Sequence, residues 1–553
     1  MNRLSNTSLP RLGSWTGKFC MVLSICAGLV SCGGGDSSRT ANLSGQVSAV
    51  ASNSGSKATH FAASRFLEQA AMGPSPASVA QVKAQGIEGW IETQMNLPPT
   101  KIVTPASLYE HELNTDKPAQ QRMTDFYKIN LYSMLIGGED QLRIRTSWIL
   151  SNFLVISTRK IQDYGALEYL NMLQTNAFGQ YGDLLKDVTR NPGMGFYLDN
   201  SNNKKSQLNE NYGRELMQLF SVGLVQLNLN GTLKKDAAGK PLETYSQKDV
   251  IEITRALTGW DFADPNQKRM GSNFANHAKP MQANYPDQHD TDAKIVLGKT
   301  IPAGQDAAKD LDSLIEILVT HPNTAPFVSL RLIQGMTTSD PSPAYLERVA
   351  TVFRDTKGNL AKVITAILTD SEARYGDVPG RSSKNFGRIK EPFLLSLHLM
   401  RGLGCRAAVR QPNNPSDIWQ NYNQRPLQAY TVFNFYPPNH RTQGTNVLAP
   451  EQKLLNSNEF GNRMWHVSNV MSDETVLNNA GCDTESIKAA AAVSDEKLVD
   501  LLSERFFRGA MPATLAKSLI DANKTYWKHD KPLDLTGVML DMASLSPAFG
   551  VIK

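Results

Sequence analysis

Apolar residues recur at helical spacing along most of this chain, in helix-length segments that end near glycine or proline. The first, residues 61–72, has apolar residues at positions 61, 62, 66, 67 and 70 and is followed by Gly73-Pro74. We predict further helices at 77–85, 87–95, 121–136, 140–157, 165–173, 181–188, 305–321, 323–336, 344–355, 360–370, 389–403, 451–470, 495–508, 512–522 and 535–544. The sequence has no alternation of strands with helices, no glycine-rich phosphate loop and no internal repeat. It therefore predicts a mainly α fold, a large multi-helical domain.

One segment has a different pattern. Residues 227–233 place Asn230-Gly231 between alternating residues, which is typical of a β-hairpin, and a second turn follows at 236–241. The asparagines superficially resemble a calcium loop, but the full ligand pattern and its closing glutamate are missing. We therefore predict a small β-hairpin insertion and no ion site. A capping box, Ser246 to Asp249, then opens a helix to Leu257, and residues 258–297 are expected to form a long polar loop.

The N-terminal residues resemble an export signal. Arg3, Arg11 and Lys18 precede an apolar run, 19–30, that is too short to span a bilayer as a mature helix. The run ends in Leu29-Val30-Ser31-Cys32, which resembles a bacterial lipobox. We predict a signal peptide at 1–31, lipid modification of Cys32 and a flexible tether at 32–58; glycine rather than aspartate after the cysteine favours the outer membrane. The alternative is an ordinary signal peptide with a chance cysteine.

Charge and cysteine content narrow the remaining possibilities. Removing residues 1–31 lowers the formal charge from +5 to +2, so nothing indicates a nucleic-acid partner. Residues 59–553 can bury one large core, as one domain or as two intimate halves, 59–300 and 301–553. Cys405 and Cys482 are the only cysteines after Cys32. An oxidising envelope would permit a bridge, but their separation in sequence leads us to expect none.

Residues 208–220 carry the most unusual polar pattern. Asn209 is a good N-cap, and Gly223 is placed to end the helix. Tyr212, Leu216, Leu219 and Phe220 would face the core. The opposite side combines carboxylates, amides and one guanidinium without any lysine, namely Glu210, Asn211, Arg214, Glu215 and Gln218. This face is suited to fixed polar geometry, because an arginine can hold carboxylates in a defined fork.

Motifs along the chain resemble the bacterial family known as domain of unknown function 1800. They begin near Phe66-Leu67 and cover nearly everything after the tether. The main ones are Asn176-Ala177-Phe178-Gly179, residues 209–220, residues 245–250, Leu257-Thr258-Gly259-Trp260, His289-Asp290, residues 321–327, Val432-Phe433-Asn434-Phe435 and Ala449-Pro450-Glu451. The chain departs from the family at Tyr430-Thr431, where proline or serine is expected, and at Gly213, where alanine is commoner.

The resemblance implies little chemistry. Members of that family are typically exported and are often accompanied by a second exported family whose fold resembles sulfatases and alkaline phosphatases. It therefore suggests envelope or extracellular polymer metabolism and a co-exported sulfatase-like partner, without naming catalytic residues.

The first candidate site is a polar pocket where the 209–220 helix meets the loop that carries His289-Asp290. Glu215 or Glu210 would be the general base, Arg214 an anion clamp and His289 an acid. His289, Asp290 and His321, with Glu215, are also suitable ligands for a divalent metal such as Zn or Mn, although they lack the spacing of a known metal motif. The structural alternative is that Glu210 and Arg214 form a buried ion pair and that His321-Pro322 merely opens a helix.

The second candidate is an aromatic segment with interspersed amides. Flat rings and nearby amides suit a sugar-binding surface, and the predicted binding residues are Trp419, Tyr430, Asn434 and Tyr436, beside Asn211 and Gln218 on the helix. The alternative is that these aromatic residues fill the core. No serine lies in a nucleophile elbow. Lys390-Glu391 and Arg331 are further candidates for lining a site cavity, but the sequence does not place them.

Two hypotheses follow. The chain is either an envelope-anchored hydrolase that acts on a glycan or another extracellular polymer through Glu215, Arg214 and His289, or a non-enzymatic lipoprotein that binds such a polymer or assists a co-exported partner through the aromatic segment.

Overall fold

The computed structural model describes residues 57–104, 117–161, 163–264, 274–383, 385–407, 423–471, 474–527 and 532–553. The predicted signal peptide, Cys32, nearly all of the tether and Trp419 lie outside these residues. Helices dominate the described chain. They are α1 His60–Ala70, α2 Pro76–Asn96, α3 Lys117–Gly137, α4 Gln141–Phe153, α5 Asp163–Asn176, α6 Tyr181–Arg190, α7 Pro192–Tyr197, α8 Asn211–Gln218, α9 Gln247–Ala256, α10 Phe274–Ala278, α11 Ala307–Thr320, α12 Thr324–Met336, α13 Pro343–Asp355, α14 Leu360–Thr369, α15 Ser371–Arg374, α16 Pro392–Gly402, α17 Ser457–Met471, α18 Glu474–Asn479, α19 Thr484–Val493, α20 Asp495–Phe506, α21 Ala513–Ala522, α22 Pro532–Ser544 and α23 Pro547–Gly550.

The mainly α prediction is confirmed, and local signals placed most helices correctly. The Ser246–Asp249 capping box is formed, and Gly86 interrupts α2 with φ 76° at the predicted break. Several boundaries differ from the prediction: the helix predicted at 140–157 ends at Phe153, and the one predicted at 389–403 begins at Pro392. Two other regions also differ. Asn191-Pro192 ends α6 but also begins α7, because Asn191 caps it and proline is favoured in a first turn. The helix predicted at 451–470 is a 3-10 turn, Pro450–Leu454, followed by α17.

The core is continuous across the described residues. One cluster of buried apolar side chains extends from Ala63 to Ile552. Helix α16 lies within it and is buried at every position, including the polar residues Ser396, His398 and Arg401. When a helix is buried on all sides, other elements must supply hydrogen-bond partners for its polar side chains. Polar contacts are therefore concentrated in this region. None of the described helices is long and apolar enough to cross a membrane.

The predicted hairpin arm folds back on itself, but without regular strands. Isolated antiparallel bridges join Val225 to Glu243 and Leu227 to Leu233. Buried Asn323 fixes the base of the arm, because its side chain bonds the Leu227 N–H at 2.5 Å and the Val225 carbonyl at 2.9 Å.

Regular strands occur elsewhere. β1 (Lys294–Val296) pairs antiparallel with β2 (Lys299–Ile301), and β3 (Arg388–Ile389) pairs antiparallel with β4 (Val551–Ile552). The long polar loop expected over 258–297 therefore contains β1 at its end, and also α10 and the 3-10 turn Pro286–Gln288.

The expectation that the two late cysteines stay apart is also wrong. Cys405 and Cys482 form a disulfide that closes a loop of 77 residues. Cys405 follows α16 and Cys482 precedes α19, and the Arg406 N–H donates to the Ala480 carbonyl at 2.9 Å. The tertiary fold brings the two segments together, which separation along the chain could not indicate.

Candidate functional site

Helix α8 presents the unusual polar face to solvent because its other face is fixed in the core. Tyr212, Leu216 and Met217 are fully buried. The Tyr212 hydroxyl lies 2.8 Å from Thr189 Oγ1. A Cβ added to Gly213 would lie 2.9 Å from Thr254 Oγ1, so glycine at this position allows close approach to α9. The helix begins one residue later than predicted, with Glu210 at the N-cap position and Asn209 Oδ1 accepting from the Asn211 N–H.

Glu210 and Arg214 form an ion pair, but not a buried one. Arg214 Nη2 lies 2.7 Å from Glu210 Oε2, and the two side chains are 39% and 34% exposed. Gln247 on α9 donates to both Glu210 oxygens, at 3.1 and 2.9 Å, and accepts from Arg214 at 3.3 Å. The interpretation as a buried structural pair is therefore wrong, and at this exposure the pair contributes about 0–1 kcal/mol.

Glu215 differs from the other carboxylates of this surface. Its Oε2 atom is buried and has no hydrogen-bond partner among the described residues. Burial raises the pKa of its carboxyl group, and the nearby Arg214 offsets only part of that effect. Because Arg214 bonds Glu210 instead, Glu215 remains a half-buried acid without a bonding partner for that oxygen.

Side chains around Glu215 supply rings and amides. Tyr197 and Tyr245 are both partly buried. Burial raises the pKa of Tyr245; the charge of Arg214 opposes this increase, and the charge of Glu215 adds to it. The Tyr245 hydroxyl donates to Gln218 Oε1 at 3.2 Å. Asn211 Nδ2 donates to Asp199 Oδ2 at 3.0 Å. We call Tyr197, Glu210, Asn211, Arg214, Glu215, Gln218 and Tyr245 the Glu215 surface.

His289 and Asp290 do not join this surface. His289 is 2% exposed, and its ring contacts the Thr258 carbonyl at 2.9 Å and Asp310 Oδ2 at 3.2 Å. Asp290 accepts two hydrogen bonds from Arg255, at 2.7 and 3.1 Å. Burial by itself would raise the pKa of Asp290, but these bonds outweigh it and the pKa is lowered. Asp290 is thus held by Arg255 of α9, and His289 by Thr258, which follows α9, and by Asp310 of α11. The predicted Glu215–His289 pocket is not assembled.

The proposed metal ligands are likewise separated by their partners. His321 follows α11, and its Nδ1 accepts from the Asn323 N–H at 3.2 Å. Burial lowers the pKa of His321, with Lys234 adding to the effect. In the part of the chain that the structure describes, no group of three or more His, Cys, Asp or Glu side chains is placed to hold a metal ion. His289, Asp290 and His321 therefore do not form the expected metal site.

The aromatic segment divides into exposed and inward-facing residues. Tyr430 is 62% exposed, with the Arg159 guanidinium 4.1 Å from its ring centroid, and Phe433 is 41% exposed. Asn434, in contrast, has φ 62° and bonds Asn152 Oδ1 at 2.8 Å. The Tyr436 hydroxyl donates to Glu391 at 2.7 Å, so this hydroxyl already has a partner within the protein. Burial raises the pKa of Tyr436 far above its usual value.

A buried charge network surrounds Glu391, which sequence reasoning did not place. Arg388 bonds Glu391 and lies 3.2 Å from Glu451, and all three are at most 3% exposed. Gln424 also donates to Glu391, and Ser339 donates to Glu451 at 2.8 Å. The lone pairs of both carboxylates are thus largely used by protein donors, which indicates a structural role.

Lys390 belongs to a second buried network. Its ammonium lies 3.2 Å from Glu68 and 2.6 Å from His398 Nδ1, and Arg508 bonds the other Glu68 oxygen. Burial lowers the pKa of Lys390 to about 8, against the opposing effect of Glu68. Burial and then Lys390 lower the pKa of His398 far below its usual value, so the histidine is neutral. Adjacent Lys390 and Glu391 therefore enter separate networks.

Residues 65–551 match the family described as "Protein of unknown function (DUF1800)". The chain belongs to this family. The match begins within α1 and ends in β4, so it includes the Glu215 surface and both buried networks. No curated protein and no solved structure matches the chain. The DUF1800 description names no activity, so any function must be argued from the side chains themselves.

Proposed function

We propose that this DUF1800 protein is an envelope-anchored hydrolase that acts on a glycan or a similar hydroxyl-rich polymer, with Glu215 as its acid–base group. The observation that carries the proposal is the half-buried Glu215 carboxyl group, one of whose oxygens has no partner in the described chain. Neighbouring carboxylates on the same surface are paired: Glu210 with Arg214 and Gln247, and Asp199 with Asn211 and Lys160.

An unpaired acid at this burial suits proton transfer. Because the pKa of Glu215 is raised, its carboxyl group retains a proton at higher pH than an exposed glutamate does, and it can donate that proton to a leaving-group oxygen. Tyr197 and Tyr245 supply ring surfaces for the apolar faces of sugars, and Gln218 supplies an amide for hydroxyl groups. The Arg214–Glu210 pair is exposed enough to contact a substrate.

A matched pair of variants tests this proposal. The protein is incubated with a panel of envelope polysaccharides, and new reducing ends are measured. Glu215→Gln should reduce the rate about 100-fold or more, since general acid catalysis contributes about 10²–10⁴. Glu243→Gln, an exposed glutamate on the hairpin arm, serves as the control and should retain the rate. Full activity of Glu215→Gln, or its failure to fold, would remove Glu215 from the mechanism.

The second candidate function is non-catalytic: the protein binds an envelope polymer or assists a co-exported sulfatase-like partner. Tyr430 and Phe433 favour it, because both rings are exposed and lie close together in sequence. Tyr430→Ala should weaken binding to the same polysaccharides in a gel-retardation assay. Phe460→Ala removes another exposed ring that has an arginine over it, so it is the control. Equal retardation of both variants would contradict the binding role of Tyr430.

The location is proposed from residues 1–32 alone. The lipobox-like sequence supports cleavage before Cys32 and a lipid anchor in the outer membrane. Labelling of cells with a radioactive fatty acid should mark the protein, and Cys32→Ser should abolish the label. A labelled Cys32→Ser variant would contradict the anchor.

A further inference from the structure

A cavity of 270 Å³ lies where α1, the segment that follows α14 and the C-terminal residues meet. It is separate from the Glu215 surface, and no residue is shared between them. Its charged lining side chains are four cations and one carboxylate, namely Arg65, Arg381, Arg508, Lys553 and Glu372. The carboxylate is already occupied, because Glu372 accepts bonds from both the N–H and the hydroxyl of Ser342. The lining side chains therefore carry a formal excess of positive charge, part of which is offset by Asp377 on Arg65 and by Glu68 on Arg508.

Two of the arginines are held in place and still have donors without partners. Arg65 is 1% exposed; its Nη1 bonds Asp377 at 2.6 Å, and its buried Nε has no hydrogen-bond partner in the described chain. Arg508 donates to Glu68 through Nε and Nη2, and its Nη1 has no hydrogen-bond partner among the described residues. Burial, followed by the charge of Arg374, lowers the pKa of Arg65 to about 10. A buried guanidinium with an unused donor is suited to an anion.

The rim supplies further charge. Arg381 and Lys553 are exposed, and the side chain of neither forms a hydrogen bond or an ion pair with the described residues. Gly376 lies against the Arg65 guanidinium so closely that an added Cβ would be 2.8 Å from Nη2. Glycine therefore leaves the face of the guanidinium free of a side chain at this point.

The cavity also has an aromatic part. Phe386 and Phe507 line it, and the Arg65 guanidinium lies 5.5 Å from the Phe386 ring centroid. Its volume is close to the lower end of pockets that bind small organic ligands, about 300 Å³. Arginine donors match the oxygens of a phosphate group, and the rings can contact a small organic group attached to it.

We propose that this cavity binds a phosphate group attached to a small organic moiety. The phosphate oxygens accept from Arg65, Arg381 and Arg508, and the organic part packs against Phe386 and Phe507. The proposal does not depend on catalysis by Glu215. The same phosphate chemistry occurs in a free metabolite and in a phospholipid headgroup, and the test below separates the two sources.

Calorimetric titration of the protein with glycerol 3-phosphate, with glycerol as the uncharged control, tests the site. We expect glycerol 3-phosphate to bind and glycerol not to bind. Arg381→Gln should weaken binding at least about tenfold without changing Tm, because this arginine is exposed and the variant removes one charged donor. Arg354→Gln, an exposed arginine outside the cavity, is the matched control and should bind as the unaltered protein does.

Sedimentation with phosphatidylglycerol vesicles provides the second arm. Vesicle binding that is lost in Arg381→Gln but kept in Arg354→Gln assigns the site to a lipid headgroup. Binding of glycerol 3-phosphate alone assigns it to a free metabolite. No binding in either arm, or equal weakening by the two arginine variants, would overturn the proposal.

Discussion

Replacing Glu391 with glutamine removes one buried charge and keeps the shape of the side chain. Glu391 is 1% exposed and accepts from Arg388, Gln424 and Tyr436. In the variant, Arg388 retains only Glu451 as a charged partner, at 3.2 Å. The new NH₂ group of the glutamine is a donor and faces the Gln424 amide, which is also a donor, so that hydrogen bond is lost. Removing one member of a buried ion pair costs about 3–5 kcal/mol, which is a large share of a typical folding free energy of about 5–15 kcal/mol.

The prediction is checked by urea denaturation, followed by circular dichroism, at neutral pH. Glu391→Gln should unfold with a free energy about 3–5 kcal/mol lower than that of the unaltered protein. Glu243→Gln is again the exposed control and should change it by less than about 0.5 kcal/mol. A loss of less than about 1 kcal/mol for Glu391→Gln would refute the view that this network stabilises the fold.

The pH dependence of the same variant has a defined sign. Burial opposes ionisation, but Arg388 and the hydrogen bonds hold the pKa of Glu391 below its ordinary value of 4.5. A carboxyl group whose pKa is lowered by folding contributes stability above its unfolded pKa and loses that contribution as pH falls through its folded pKa. The difference between the two proteins should therefore narrow below pH 4.5.

Three further predictions concern single features. Glu215→Gln should raise stability at pH 7.5 by about 1 kcal/mol, because it removes the charge of a partly buried carboxylate, one of whose oxygens lacks a partner among the described residues. Since folding raises the pKa of Glu215, the penalty appears as pH rises through that pKa, so melting curves at pH 4 should coincide; a lower Tm at pH 7.5 would contradict this. Asn323→Ala should cost about 1–3 kcal/mol and expose the hairpin arm to limited proteolysis, because the backbone groups that Asn323 bonds lose their partner; unchanged cleavage would contradict it. Reduction of the Cys405–Cys482 bridge, verified by peptide mass mapping, should lower the unfolding free energy by about 2–4 kcal/mol, since the closed loop has 77 residues.

Helix α8 shows most clearly which features a local sequence pattern predicts and which depend on distant parts of the chain. The pattern of Tyr212, Leu216 and Phe220 placed one face in the core, and all three residues are buried. The same reasoning joined that helix to His289 across the chain, and this was wrong. Helix α9 packs between them, and its Arg255 binds Asp290 at 2.7 Å. No spacing within either segment carries information about that third element.

The mainly α class, the positions of most helices and the family are all evident from the amino-acid sequence. Each depends on periodicity, capping or motifs within a short stretch, which act over one or two turns of backbone. Which polar residues meet depends instead on how the helices pack. Arg388 and Glu451, Glu68 and Lys390, and Cys405 and Cys482 are far apart along the chain. They come together because burying the helices' apolar faces leaves polar groups that must find partners inside the core, and those partners depend on how all the helices pack.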